Sequence, residues 1–484
     1  MSKKRARRRS VERRRWELKD AIVQLGDAPE DVLTNGQFFE HVAIFGSSGS
    51  GKTSSSFLPM VVFPMLATGY GAVLTAAKPA DGDALERVCA RAGRAGDVIR
   101  ISLGGKHCFD PMTYLSTHPV RLADVEDVIS IPGQAMEILN GPKKPTEEYW
   151  EGGKLSLMRE LATALMLARN PVSLSVMERL LLSAPKSKEE IHTKAWQEGE
   201  LCRLLDEALE QDLNETERAD LERCGMNWMK AWVRTPTKSR GVFEASVRQL
   251  GDALCRGKLR NLLSSGRLTF VPELLDRGAI LILDLPVLSG EANRAGQAMI
   301  LQGICKYLEQ RTEKPREVMR PIAICIDEAQ RSITKQWTKS LQVLRSSKVC
   351  MCLVTQDIQQ YVDALGGSNE AETTVKALLA NCGTLVVHSV SEASTQQYIS
   401  RLIGEEWQYR SNFSGAFSGH GSSQMSAGGM EQEARFLDPS YFGTQLRRGG
   451  KANDYIADAI VFQNSRIWSN GKPFLKVAFK QRFF

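Results

Sequence analysis

The stretch His41–Ser56, HVAIFGSSGSGKTSSS, has the residue types and spacing to hold phosphate. Gly46, Gly51, Lys52 and Thr53 fit G-x-x-x-x-G-K-[ST], after an apolar run and before a helix start rich in hydroxyls. In such a loop the backbone N–H groups of Gly46, Ser47, Ser48, Gly49, Ser50, Gly51, Lys52, Thr53 and Ser54 close round a nucleotide's phosphates. Lys52 would reach the β/γ oxygens, and the Thr53 hydroxyl would hold Mg²⁺. A bare Gly/Ser turn accounts for the glycines but not for the lysine in this context.

A second group stands at Pro321–Gln330, PIAICIDEAQ. Its apolar run delivers Asp327 to a strand end, where a carboxylate can hold the Mg²⁺ shell. Glu328 follows, placed to orient and deprotonate a water for attack on the γ-phosphate. The plainer alternative is that both carboxylates cap the next helix at its positive end. A third run, KVCMCLVTQD at 348–357, ends in Thr355–Gln356 and sets the Gln356 amide to sense the γ-phosphate. Arg345, eleven residues earlier, is either a surface cation or an arginine that stabilises charge on a neighbouring subunit's nucleotide.

These groups need a scaffold. Short Val/Ile/Leu-rich runs recur at His41–Phe45, Ala72–Thr75, Val98–Ser102, Ala279–Leu285, Ile322–Asp327, Val349–Thr355, Thr384–His388 and Ala459–Phe462. Runs this short and apolar suit strands covered on both faces. Helical stretches lie between several of them, so the expected fold is α/β, a mainly parallel central sheet with an inserted all-α domain. The insertion is expected over 145–265, where no strand pattern occurs. There Leu157, Leu161, Leu165 and Ala168 share a helical face, as do Phe243, Val247, Leu250 and Leu254. Ser187 with Glu190, and Asn214 with Glu217, look like reciprocal helix caps. Trp228 and Trp232 lie on one helical face, as core or as a docking stripe. Residues 36–144 and 266–484 then form the nucleotide-binding motor domain. Ser411–Gly429 is Gly/Ser-rich without an apolar period and reads as a mobile loop.

Composition bounds the rest. The net charge of +7 sits in the first twenty residues, which hold ten Lys/Arg and three Asp/Glu; the remainder is neutral. The basic character is thus an arm, expected over 1–35, able to touch DNA, RNA or anionic lipid, or simply solvated. Ten cysteines without a CxxC pair suggest neither a zinc site nor a disulfide framework and fit a reducing compartment, so a cytoplasmic location is expected. The charge-free run Ser56–Ala77 invites a membrane reading, but Pro59, Pro64, Gly69 and Gly71 interrupt it. A buried helix followed by a buried strand explains it better, and no transmembrane segment is expected.

In this order and spacing the motifs resemble the coupling ATPases of conjugation and type IV secretion, within the HerA/FtsK superfamily of RecA-like P-loop motors. The resemblance rests on the lysine loop, CIDEAQ, LVTQDIQQ, VLTAAKPADGDALERV with Lys78, GDVIRISLGGKHCFDPM, and NCGTLVVHSVSEASTQQYISRLIG. Arg345 falls where the family places its trans arginine. The resemblance implies an ATP- and Mg²⁺-dependent homo-oligomeric ring, a hexamer, that threads DNA and works with a relaxase, secretion-channel or membrane partner. The chain departs from the family pattern in lacking the N-terminal membrane helices and in carrying Ala77 and Pro79 around Lys78. Two alternatives stay open: a HerA-like DNA-processing or anti-phage defence ATPase, and a nucleotide-switched protein-recruitment module that is not a motor.

Overall fold

The protein is described by a computed structural model over residues 16–119, 123–141, 148–313, 319–417 and 423–482. A small antiparallel hairpin opens it, β1 (Ala21–Gln24) and β2 (Val32–Thr34). Trp16 packs beside it: its indole N–H donates to the Thr68 carbonyl at 3.2 Å, and the Arg320 guanidinium lies 5.1 Å from its ring centroid. Residues 16–34 are therefore seated on the body. Of the arm expected over 1–35, the basic run up to Arg15 lies outside the described residues.

Nine strands build the main sheet, and seven of them come first in the chain. They are β3 (Val42–Phe45), β4 (Gly71–Thr75), β5 (Val98–Ser102), β6 (Ile280–Asp284), β7 (Ile322–Ile326), β8 (Val349–Thr355) and β9 (Thr384–Val387). After β10 (Glu405–Phe417) and β11 (Ser423–Arg435) come β12 (Ile456–Gln463) and β13 (Phe474–Lys480). The spatial order is β13-β12-β9-β3-β8-β7-β4-β6-β5. From β9 to β5 every pairing is parallel, while β12 and β13 run antiparallel at one edge. β3, β4, β6, β7, β8 and β9 are buried along their whole length. That burial is why they read as continuous apolar runs. The charge-free run after the lysine loop is a π-helix, Thr53–Val62, continuing as Phe63–Ala67 and then β4. Among the described residues no helix is long and apolar enough to cross a membrane.

Between β5 and β6 the described residues form helices joined by turns, with no strand among them. The longest helices are Glu148–Leu167, Thr237–Leu254 and Val125–Asn140. Leu157, Leu161, Leu165, Val247, Leu250 and Leu254 are buried in one apolar cluster that continues into the core beneath the sheet. Asn214 and Glu217 form the reciprocal cap expected of them. Trp228 and Trp232 are buried against each other, 5.6 Å between ring centroids, so they are core.

The Gly/Ser-rich segment differs from expectation. β10 and β11 pair antiparallel from Glu405↔Arg435 to Phe417↔Ser423, so 411–429 is mostly ribbon rather than mobile loop. A two-stranded ribbon that pairs only with itself needs no apolar period, which is what sequence reading looks for.

Candidate functional site

Because the strands from β9 to β5 are parallel, their carboxyl ends share one edge of the sheet. That edge is where open α/β sheets bind ligands. β3 delivers Gly46, β7 delivers Asp327, β8 delivers Gln356 and β9 delivers His388 to it. The motifs read separately in sequence thus converge.

The phosphate loop is held from both sides. The Gly46 amide donates to the Gln356 carbonyl at 3.1 Å, and the Ser47 amide to the Ser389 carbonyl at 2.9 Å. The Ser391 amide donates to the Ser47 hydroxyl at 3.1 Å. Gly49 and Gly51 take φ of +73° and +93°, left-handed values that glycine adopts without strain. Their amides have no acceptor among the described residues, so they remain available to an anion. Ser48 and Gly49 form the exposed tip, whereas Ser50 and Lys52 are buried. Ser54, on the first helical turn, receives a hydrogen bond from the Gln481 side chain at 2.5 Å.

The carboxylates meet this loop. The Thr53 hydroxyl donates to Asp327 Oδ2 at 3.4 Å across the gap between the first helical turn and β7. Asp327 is half-buried, and desolvation pushes its carboxyl up to about 6 against the pull of Lys52, with the Glu328 charge adding to the rise. A carboxylate this desolvated is best held ionised by a nearby cation. Thr53 and Asp327 together offer hard oxygen donors beside Lys52, a set that fits Mg²⁺.

Glu328 sits at φ 51°, ψ 47°, a left-handed conformation that costs a non-glycine residue ~1–2 kcal/mol. Its amide donates to Asp327 Oδ1 at 3.0 Å, so the two carboxylates leave the strand end together. The helix-cap alternative fails in its simple form, because Glu328 makes no side-chain cap bond to the short 3₁₀ turn that follows.

Gln356 lies at the end of β8, half-buried, directly beside the Gly46 amide. Arg345 lies elsewhere. It follows the helix Gln336–Leu344, near the amino-terminal end of β8, and its guanidinium pairs with Glu40 at 2.5 Å. Glu40 precedes β3, so both residues stand at the opposite end of the sheet from the lysine loop of the same chain. Arg345 therefore lies away from the lysine loop of its own chain.

Sequence reading missed three supports. His388 lies under the loop, accepting from the Ser56 hydroxyl at 2.7 Å and donating from Nδ1 to the Asp458 carbonyl at 3.0 Å. Burial holds it down at about 4, so it is neutral. The loop before β12 and the chain end after β13 form one wall: Gly449 donates to the Ser50 carbonyl, Arg448 to the Ser48 carbonyl at 2.9 Å and the Arg482 amide to the Ser54 carbonyl at 2.7 Å. Asp81 adds a third negative charge near Asp327 while its carboxylate accepts from the Ala77 and Lys78 amides. Only Asp81 had a visible sequence signal, an acid close after the strand carrying Lys78; the others come from distant chain.

Comparison with known proteins follows the same lines. Residues 321–442 match the sequence model of the family described as "TraM recognition site of TraD and TraG". No curated protein matches the chain in sequence. Among solved structures, the plasmid coupling protein TrwB in complex with ADP and Mg²⁺ superposes with a TM-score of 0.61 at 16% identity, covering 98% of this chain and 92% of that one. The unbound bacterial conjugative coupling protein TrwBdeltaN70 gives 0.60 at 16%, covering 97% and 92%. VirB4 of Thermoanaerobacter pseudethanolicus gives 0.50 at 10%, covering 96% and 97%. The chain thus has the α/β fold seen in TrwB and, over 321–442, a match to the model described as "TraM recognition site of TraD and TraG".

Proposed function

We propose that the chain is an ATPase of the coupling-protein type, working as a ring that hydrolyses ATP between subunits and moves DNA. The observation that carries this is the meeting of Thr53 and Asp327, 3.4 Å apart, at the edge where Lys52 and Glu328 also stand. TrwB, whose fold this chain shares, has been crystallised with ADP and Mg²⁺ and with analogues of GTP and ATP.

In this reading the Gly46–Ser54 loop binds the triphosphate, and Lys52 neutralises its β/γ oxygens. Thr53 and Asp327 would hold Mg²⁺, which when bound would supply Lewis-acid charge to the phosphates. Glu328 orients and deprotonates the attacking water, and Gln356 reads whether the γ-phosphate is present. Arg345 acts on the neighbour's nucleotide, since it stands at the far end of its own sheet. Release from Glu40 would free it as the interface forms. DNA contacts of this kind are backbone contacts, blind to sequence and sensitive to salt. The model described as "TraM recognition site of TraD and TraG" matches a span that contains Asp327, Glu328, Arg345 and Gln356, which supports this reading. A relaxosome or secretion-channel protein is accordingly the class of partner we propose, and that partner distinguishes this role from DNA processing or defence.

The test is electron microscopy of the purified protein with a non-hydrolysable ATP analogue and duplex or single-stranded DNA. A closed ring with density in its hole is the expected result. A monomer under all these conditions would remove the interface mechanism and with it the motor.

A further inference from the structure

Glu328 does not stand alone. Gln330, two residues on, is buried at 4% exposure in the 3₁₀ turn Ala329–Arg331. Its Nε2 lies 2.5 Å from Glu328 Oε2 and 2.7 Å from Gln360 Oε1. A primary amide has two N–H donors, so these two contacts use both. The orientation follows from chemistry: an ionised carboxylate only accepts, so the amide must turn its nitrogen toward Glu328. Its oxygen is left buried and without a partner. Leaving an acceptor orphaned is unfavourable, which argues that the nitrogen side is what the fold requires.

The chain of contacts continues. Gln360 Nε2 donates to Asp357 Oδ2 at 3.2 Å, and the Gln360 amide donates to Asp357 Oδ1 at 2.9 Å, capping the helix Ile358–Ala364. Asp357 is bonded directly to Gln356, the residue whose carbonyl receives the Gly46 amide. A path of side-chain hydrogen bonds therefore runs from the strand end beside the phosphate loop to the carboxylate of Glu328. It passes through two amides, neither of which changes charge.

We propose that Gln330 is a positioning residue that fixes the Glu328 carboxylate, and that Asp357, Gln360 and Gln330 relay the state of the Gln356 strand end to it. The relay rests on the reading of Glu328 as the group that activates water. When the γ-phosphate engages Gln356, the Asp357 cap and its Gln360 partner move with β8. Gln330 then carries that movement to Glu328. The donors hold the carboxylate by geometry, and displacement by about 1 Å costs on the order of 10²-fold in rate.

The experiment is steady-state ATP turnover and direct nucleotide binding, with a fluorescent ATP analogue, on the full chain. Gln330→Met preserves bulk and removes both donors; it is expected to lower kcat about 10²-fold while KM and analogue affinity stay at the wild-type values. Gln360→Met, at a less buried position, is expected to lower kcat as well. The double variant should be no slower than Gln330→Met alone, because both residues serve one path. Wild-type kcat in Gln330→Met, while Glu328→Gln loses turnover, would overturn the relay and leave the base assignment standing. Losses that multiply in the double variant would also overturn it. Wild-type turnover in Glu328→Gln would remove the assignment on which the relay rests.

Discussion

Two buried histidines disfavour the folded state as pH falls, and His41 gives the sharper test. His41 stands at the foot of β3, where its Nε2–H donates to the Leu341 carbonyl at 2.8 Å and its Nδ1 accepts from the Met351 amide at 3.1 Å. Both ring nitrogens are thus used by the neutral form, and a second ring proton would point at an N–H. Burial, with the nearby Arg345 cation, holds His41 down at about 4 from 6.5, although its bond to Leu341 pulls the other way. A folded value below the unfolded one means that the unfolded chain binds more protons between pH 4 and 6.5. Stability is therefore present above pH 6.5 and lost as pH falls toward 4. Between pH 7 and pH 5 the loss from one such histidine is about 2 kcal/mol, and His388, also held at about 4, doubles it. The perturbation is His41→Asn, since the φ of 65° at this position suits asparagine. Urea midpoints at pH 7 and pH 5 read the outcome. The buried carboxyls of Asp327 and Asp110, held up at about 6 and about 7, take up protons in the folded state and oppose the histidines over this range, so the difference between proteins is what isolates His41. The variant should lose stability at pH 7, and its change from pH 7 to pH 5 should be more favourable than the wild type's by about 2 kcal/mol. The same pH 7 to pH 5 change in variant and wild type would refute the assignment of neutral His41 as a source of acid sensitivity.

Two further expectations concern the site. Arg345→Ala should leave nucleotide affinity intact and lower turnover about 10³-fold or more, the scale of an arginine supplied by a neighbour; wild-type turnover would mark Arg345 as a surface cation paired with Glu40. Gly46→Ala would set a methyl 2.5 Å from the Ser50 hydroxyl and 2.9 Å from His388 Cβ. That overpacking of about 1–3 kcal/mol should weaken ATP binding roughly tenfold, as titration with the fluorescent analogue would show, and equal affinity would mean that the loop is not held against His388.

Much of the sheet was legible because burial on both faces writes strands as unbroken apolar runs. Ala279–Leu285 and Val349–Thr355 announce themselves this way, and each ends where β6 and β8 end, within a residue. The long hairpin was not legible, because its strands pair with each other and bury no apolar face in the sheet. The edge strand β13 was only half legible, with Lys476 and Lys480 breaking its apolar run. For the site, local motifs placed Lys52, Thr53, Asp327 and Glu328 at chain positions, and the parallel register brought Thr53 to Asp327. The supports from far along the chain left no local trace. Gln481 touches Ser54 across 427 residues, and no periodicity encodes that contact. Gln330 and Gln360 look like ordinary polar residues after strands until the fold sets them side by side.

The central claim is that Lys52 and Glu328 serve one ATP-hydrolysing, DNA-responsive site. The most direct measurement is ATP turnover by purified protein with Mg²⁺, with and without DNA at low and moderate salt, for wild type, Lys52→Ala and Glu328→Gln. The expected result is turnover that DNA raises and salt lowers, lost in Lys52→Ala through binding and in Glu328→Gln with binding retained. Wild-type protein that splits no ATP with abundant Mg²⁺ and DNA, or turnover that survives in Lys52→Ala, would contradict it.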